Sequence, residues 1–215
     1  MKRLTPAQLE IATTLFALPE ATDYALAGGA ALLAHETIDR PTRDLDAFVQ
    51  ARPIQPPGDV GPLTTALTQA LEHRGWTVTP IRTHQTFTRV TATRDDEAVE
   101  IDFAVDSPRL FPTRDIDGIP MLDQRDLAAR KILAILDRAE GRDFTDLEAL
   151  QHSYDREDII DWARQLDIGI AREAIADAFR QLDRLNDAEL PTDTPARTRQ
   201  LFADWRAKLD PEAGA

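Results

Sequence analysis

The sequence predicts an α+β protein in which a lobe with a short mixed sheet precedes a helical lobe. Segments with the spacing of strands and of helices alternate up to about residue 121, whereas every later apolar pattern is helical. With 215 residues, 42% of them hydrophobic, the chain can bury a substantial core. We therefore expect an N-terminal α/β lobe over residues 1–121 and a helical bundle over residues 122–215, with a cleft between them.

The first predicted elements are a helix and a short buried strand that ends at two glycines. Thr5 can cap a helix that begins at Pro6 and runs to about Ala17. The apolar run Tyr24–Ala27 is typical of a buried strand, and Gly28-Gly29 separates it from an alanine- and leucine-rich helix. Paired glycines at such a turn let a ligand approach the backbone and the helix N–H groups. Glycines also form many tight turns that bind nothing.

A second predicted strand, Asp44–Val49, carries two aspartates on one face. Side chains alternate along a strand, so Asp44 and Asp46 point the same way, roughly 7 Å apart. Like charges this close repel each other unless a cation lies between them, and carboxylates suit Mg²⁺, which also binds substrate phosphates. The alternative is an edge strand that merely displays two aspartates.

The rest of the first lobe is predicted as a connection, a helix and three strands. The proline-rich connection covers residues 51–58, and a helix from Val60 to Arg74 follows it. The three alternating runs cover residues 76–81, 85–93 and 98–105. A hairpin beside the aspartate strand would bring Asp102, or Glu100, next to the first two aspartates. A solvent-facing acid explains the last run equally well.

The second lobe is predicted to contain amphipathic helices over residues 123–139, from 141 onward, and over 156–166, 170–185 and 197–209. Lys131 lies beside the apolar stripe of the first of these helices, so it either snorkels from the core edge or reaches a triphosphate. Asp143 is predicted to cap the next helix, with Asp146 completing a near capping box.

Three elements of the first lobe resemble the active-site signature of DNA polymerase β-like nucleotidyltransferases. They are Gly28-Gly29, the helix after it, and the run Arg40-Pro41-Thr42-Arg43-Asp44-Leu45-Asp46. With His35 between them, they resemble the AbiEii/AbiGii toxin family, which includes the MenT-type toxins of mycobacteria. The run from Lys131 to Leu147 resembles the second motif block of the same family.

The resemblance implies an enzyme that transfers a nucleotide from an NTP, with two Mg²⁺ ions held by Asp44, Asp46 and Asp102. One ion would activate the attacking hydroxyl, and the other would stabilise the departing pyrophosphate. The resemblance further implies that Lys131 and Asp146 are catalytic. The residues implied to bind nucleotide and phosphate are Gly28, Gly29, Arg40, Thr42, Arg43 and Lys131.

The resemblance also implies partners. The studied toxins of the family add nucleotides to the 3′ end of tRNA and block its charging, so the expected acceptor is tRNA. A cognate antitoxin is expected, and in some systems it acts by phosphorylating the residue that Thr42 matches. A phosphate on Thr42 would put negative charge against the metal site and the incoming triphosphate.

The net charge of −13 opposes general binding of nucleic acid, so an RNA acceptor needs a local basic patch. The acidity favours instead a small-molecule nucleotidyltransferase of the aminoglycoside-modifying kind, or a protein acceptor. A third alternative is a catalytically silent binding module, although such a module has no need of clustered carboxylates. With no cysteine and no apolar run long enough to span a membrane, a cytoplasmic protein is expected.

Overall fold

The computed structural model describes residues 4–51 and 58–209, so most of the predicted proline-rich connection lies outside the described residues. The chain divides into two compact units, the first ending at Asp123 and the second beginning at Gln124. Each unit has its own buried core. No helix in the described ranges has both the length and the apolar character needed to cross a membrane.

The first unit is built on a mixed sheet of seven strands among its described residues, in the order β3-β4-β5-β2-β1-β7-β6. Two neighbouring pairs, β2 with β5 and β1 with β7, are parallel, and the others are antiparallel. The strands are β1 (Tyr24–Ala27), β2 (Asp44–Gln50), β3 (Thr77–His84), β4 (Phe87–Arg94), β5 (Glu97–Asp106), β6 (Arg114–Ile116) and β7 (Ile119–Met121). The helices are α1 (Pro6–Phe16), α2 (Gly28–Ala34) and α3 (Gly61–Glu72).

The predicted start of α1 is confirmed. Thr5 accepts a hydrogen bond from the Gln8 backbone N–H at 3.2 Å, and the Gln8 side chain accepts from the Thr5 N–H at 3.0 Å. This reciprocal capping box satisfies two N–H groups that have no partner within the helix. The Gln8 amide also donates to the Thr42 carbonyl at 2.9 Å, which ties α1 to the loop before β2.

The two faces of the sheet differ over β2, β5 and β4. Alternate residues such as Leu45, Ile101 and Val90 are buried, and α1 and α3 pack against this part of the sheet. The residues between them, including Asp44 and Glu100, project from the opposite face and keep some solvent exposure. We call this opposite side the open face.

The strands β6 and β7 were not expected from the sequence. Each has three residues, too few to show an alternating pattern, and Asp117-Gly118 forms the turn between them. Both turn residues have positive φ angles, which is the geometry that Asp-Gly favours in tight hairpins. Met121 then pairs with Leu26, so the hairpin adds two strands beyond β1.

The second unit is helical throughout its described residues. Its core joins Phe144, Phe179, Phe202 and Trp205, whose rings meet at centroid distances of 5.0–6.4 Å, mostly edge to face. The single helix predicted over residues 170–185 is wrong in its second half, where a 3₁₀ turn, Arg180–Arg184, follows α7. The helices are α4 (Gln124–Asp137), α5 (Gly141–Gln151), α6 (Arg156–Leu166), α7 (Arg172–Phe179) and α8 (Pro195–Leu209).

Candidate active site

The glycine turn lies directly against the aspartate strand. β1 and β2 are antiparallel, and their pairing sets Ala27 opposite Asp46. Gly28 follows with φ +58°, and a Cβ atom on it would lie 1.8 Å from Asp46 Oδ2. Only a residue without a side chain fits here, because both the backbone conformation and the neighbouring carboxylate exclude one.

A hydroxyl group holds the other aspartate of β2. Thr42 is buried, and its Oγ1 donates to Asp44 Oδ1 at 2.5 Å. A Cβ atom on Gly29 would lie 2.8 Å from Thr42 Oγ1 and 3.5 Å from Arg40 Nη2, so the loop before β2 packs closely on the glycine turn. Arg43, the last residue before the strand, is exposed.

The third carboxylate lies beside the first two, as the predicted hairpin requires. β2 and β5 are parallel, and their register pairs Asp46 with Asp102 and Asp44 with Glu100. Directly paired residues project from the same face of a sheet. Asp102 is 6% exposed, whereas Glu100 is exposed, so Asp102 is the better shielded of the two candidates.

Arg89 is a site residue that sequence reasoning missed. It lies on β4 opposite Asp102, and its Nε and Nη2 atoms donate to Asp102 Oδ1 and Oδ2 at 2.7 and 2.6 Å. The hydrogen bonds to Asp102 raise the pKa of Arg89, so it carries its charge throughout the working range. The available signal was the hairpin turn, because the register that it sets places Arg89 across from Asp102.

The donor set suits a magnesium ion. Asp44, Asp46 and Asp102 offer hard carboxylate oxygens on one face, and Gly28 keeps the space beside Asp46 free of any side chain. Within the described ranges, no three histidine, aspartate or glutamate side chains are already gathered closely enough to hold one ion. A bidentate arginine uses two of the roughly four lone-pair sites of a carboxylate, so Asp102 keeps the capacity to bind a cation.

His35 has a structural contact of its own. Its Nε2 lies 2.8 Å from the Leu122 carbonyl oxygen, which can only accept, so Nε2 carries the proton. Burial lowers the pKa of His35 and keeps the ring neutral near pH 7. This motif histidine therefore fixes the end of α2 to the chain after β7 rather than supplying a charge.

In the second unit, Lys131 lies between two buried carboxylates. Its Nζ is 3.0 Å from Asp143 Oδ1 and 2.7 Å from Asp146 Oδ2. Lys131 is 8% exposed and both aspartates are fully buried. The interpretation of Lys131 as a residue that snorkels to solvent is therefore wrong, because its ammonium group pairs with acids inside the unit.

The prediction that Asp143 caps α5 is also wrong. The N-cap residue is Glu140, and Asp143 lies inside the first turn of the helix. Its carboxylate accepts from Arg138 Nε at 3.0 Å as well as from Lys131. Burial raises the pKa of Asp143, but the hydrogen bond from Arg138 and the charges of Lys131 and Arg138 outweigh it and lower the pKa below its usual value.

We expect this ion cluster to make the protein sensitive to acid. Because the pKa of Asp143 is lower when folded, the unfolded chain binds more protons between the two pKa values. The stabilisation is complete above the ordinary aspartate pKa of about 4 and is lost as the pH falls through the lower folded value. Urea unfolding measured over this pH range should show it. Asp143→Asn should flatten the dependence of the unfolding free energy on pH. The exposed control Asp161→Asn should keep the slope of the wild type. The same slope in Asp143→Asn would contradict this account.

The two turn glycines Gly28 and Gly75 give a matched test of the glycine turn. Gly28→Ala should lower the activity of this site about 100-fold or more, because the new Cβ atom displaces the Asp46 carboxylate. Gly75 has φ +82°, and a Cβ atom on it would have nothing within 4 Å, so Gly75→Ala adds the same type of backbone strain without a clash. Both variants should lose about 1–3 kcal/mol of unfolding free energy, and only the first should lose activity. Equal activity in the two variants would contradict the role of Gly28.

The first unit thus combines a mixed sheet with a glycine turn that lies beside the aspartate strand. The family model described as the nucleotidyl transferase AbiEii toxin of type IV toxin–antitoxin systems matches residues 12–213. The chain therefore belongs to the AbiEii family and is a nucleotidyltransferase of the toxin type. A search among curated proteins found no match.

Solved structures share the fold at low sequence identity. JHP933 from Helicobacter pylori is 16% identical, with a TM-score of 0.60, and the match covers 98% of this chain and 97% of that one. A second Helicobacter pylori protein is 16% identical, with a TM-score of 0.57 and coverage of 97% and 98%. MenT4, a nucleotidyltransferase toxin from Mycobacterium tuberculosis, is 15% identical over 94% and 89% of the chains, with a TM-score of 0.47. At these identities the first two matches show the fold alone.

Proposed function

We propose that this protein transfers a nucleoside monophosphate from an NTP to an RNA, with the 3′ end of tRNA as the acceptor. The observation that carries the proposal is the register that sets Asp46 beside Asp102, with Asp44 on the same face and Gly28 beneath Asp46. Three carboxylates on one face offer the hard oxygen ligands that Mg²⁺ prefers, and Mg²⁺ in turn binds the phosphates of an NTP.

Asp44, Asp46 and Asp102 would hold two Mg²⁺ ions. When bound, the ions would activate the acceptor hydroxyl and stabilise the charge of the departing pyrophosphate. The protein's own contribution is to fix the carboxylates. Thr42 holds Asp44 through one hydrogen bond, and Arg89 holds Asp102 through two.

The triphosphate would lie against the glycine turn. The absence of a side chain at Gly28 lets the Asp46 carboxylate lie directly against the turn, so a triphosphate bound to cations at Asp46 would lie near the N–H groups at the start of α2. Arg40, close to Gly29, and the exposed Arg43 would supply positive charge. Positioning and charge neutralisation then account for most of the rate, as is usual for phosphoryl transfer.

We also propose catalytic roles for Lys131 and Asp146, on the strength of the family. Their contact at 2.7 Å holds the Lys131 ammonium group against the Asp146 carboxyl group inside the second unit, which supports a role that needs both groups together. Because the pair is buried, activity in variants at these positions must be compared at equal amounts of folded protein.

Membership of a toxin–antitoxin family implies an antitoxin partner and an NTP substrate. We propose Thr42 as the site at which phosphorylation would inactivate the toxin. Its hydroxyl is 2.5 Å from Asp44 Oδ1, so a phosphate there would repel the carboxylates and the triphosphate. Since Thr42 is buried, the loop before β2 must open before a kinase can reach the hydroxyl.

A second candidate acceptor is a small cationic molecule. The observation that favours it is the net charge of −13, which attracts cationic acceptors and repels RNA. A transferase for such an acceptor would keep the carboxylates and the glycine turn but would have no use for a basic surface beside them.

The test is to incubate the protein with Mg²⁺, each α-³²P-labelled NTP in turn, and total tRNA. Label on tRNA that is absent with Asp44→Ala would support the proposal and identify the nucleotide. A wild-type protein that binds Mg²⁺-NTP and labels an aminoglycoside but no RNA would replace the RNA acceptor by a small molecule. Failure to bind any NTP would contradict the proposed function as a whole.

A further inference from the structure

The open face of the first unit carries a second arginine beyond the carboxylates. Strand pairing aligns Asp46 with Asp102, and Asp102 with Arg89. In the same row, Arg82 on β3 pairs with Arg89. Because paired residues share a face, Arg82 projects from the same side of the sheet as the carboxylates. Two strand spacings, about 10 Å, separate β3 from β5.

Arg82 differs from Arg89 in what it contacts. Arg89 is committed to Asp102, whereas Arg82 is exposed and its Cζ lies 5.6 Å from the centre of the Phe87 ring. Within the part of the chain that the structure describes, the Arg82 guanidinium has no hydrogen bond or ion pair. Stacking on the ring holds the cation in place while its N–H donors stay available to an anion.

Phe87 and His84 lie next to Arg82 along the edge of the sheet. The two residues are paired across β3 and β4, so they lie side by side on the open face, in the row next to Arg82. Phe87 is partly exposed and His84 is exposed. Proteins that bind single-stranded nucleic acids combine aromatic rings with neighbouring cations, because bases stack on the rings and phosphates bind the cations.

Many other arginines in this acidic protein are neutralised by neighbours. In the second unit, Arg130, Arg138 and Arg142 pair with Asp126, Asp143 and Glu140 at 2.7, 3.0 and 2.7 Å. Arg82 forms no such ion pair among the described residues, and it lies on the face that carries the proposed catalytic carboxylates.

We propose that Arg82, His84 and Phe87 form the docking surface for the acceptor, a single-stranded RNA 3′ end. This inference rests on the proposed function and deepens it. With the terminal hydroxyl at the carboxylates, the strand crosses β5 and β4, so that an upstream phosphate meets the Arg82 guanidinium and a base stacks on Phe87. Arg89 lies between them and stays paired with Asp102.

The test is RNA binding without nucleotide, measured by the fluorescence anisotropy of a fluorescein-labelled single-stranded RNA. Arg82→Ala should weaken binding about tenfold and reduce the slope of log K against log salt by about 0.7, the loss of one phosphate contact. Phe87→Leu keeps an apolar side chain but removes the ring, and it should weaken binding about fivefold or more. Arg74, beyond the end of α3, is also exposed, and Arg74→Ala should bind RNA like the wild type.

NTP binding should be unchanged in all three variants, which separates docking of the acceptor from damage to the nucleotide site. If the wild type binds RNA and Arg82→Ala and Phe87→Leu bind it equally well, the docking surface is wrong while the RNA acceptor stands. If the wild type binds no RNA yet transfers nucleotides to another acceptor, both the surface and the RNA acceptor are overturned, and the transferase remains.

Discussion

Replacing Asp46 by asparagine is expected to lower nucleotide transfer by about 10³-fold or more while the protein stays folded. Asp46 is the carboxylate nearest the glycine turn and is paired with Asp102, so its charge lies where cations and triphosphate would meet. An amide of the same shape removes that charge. Because the amide keeps the shape of the side chain and can still form hydrogen bonds, the melting temperature should stay close to that of the wild type.

The measurement is the initial rate of transfer from labelled NTP, together with thermal unfolding followed by circular dichroism. Asp96→Asn is the matched control, because Asp96 is an exposed residue of the β4–β5 turn and loses the same charge. The control should transfer nucleotides at the wild-type rate. A rate for Asp46→Asn within tenfold of wild type, or a large fall in its melting temperature, would show that Asp46 serves the fold instead.

Replacing Lys131 by methionine should, unlike Asp46→Asn, destabilise the fold, with a loss of about 3–5 kcal/mol in unfolding free energy. Methionine keeps much of the volume but leaves the buried carboxylates of Asp143 and Asp146 without the ammonium group that lies within 3.0 Å of each. Asp143 keeps its contact with Arg138.

A second variant keeps this prediction specific. Adding Asp146→Asn to Lys131→Met should restore part of the stability, because it replaces one of the two buried carboxylates that lose the ammonium group by a neutral amide. Lys208→Met, at an exposed position of α8, should stay within about 0.5 kcal/mol of wild type. If Lys131→Met unfolds at the same urea concentration as Lys208→Met, the ion cluster contributes no stability.

Local patterns in the sequence predicted most of the elements of the first unit. The cap at Thr5, the strand before the glycines and the strand from Asp44 each follow from a few adjacent residues. The order of the strands in the sheet does not follow from local patterns. β1 pairs with β2 in antiparallel fashion and β5 pairs with β2 in parallel fashion, and no local pattern distinguishes these two pairings. Short strands such as β6 also cannot be predicted, since three residues are too few to show an alternating pattern.

Site residues divide in the same way. Gly28 and Asp46 could be predicted because they lie in compact sequence motifs. Arg89 can be recognised as a site residue only from the register of β4 against β5. Asp143 was misassigned for a related reason. A polar residue near a helix start looks like a cap, and the partner that accounts for it, Arg138, lies on the chain just before the helix. Side-chain partners of buried acids cannot be deduced from spacing alone.

The most direct test of the account is the binding of Mn²⁺, followed by electron paramagnetic resonance in the presence of a non-hydrolysable NTP analogue. We predict that the wild type and Asp96→Asn bind the ion, and that Asp44→Asn, Asp46→Asn and Asp102→Asn each weaken binding at least about tenfold. Equal binding by all five proteins would contradict the claim that the carboxylates of β2 and β5 form the catalytic metal site.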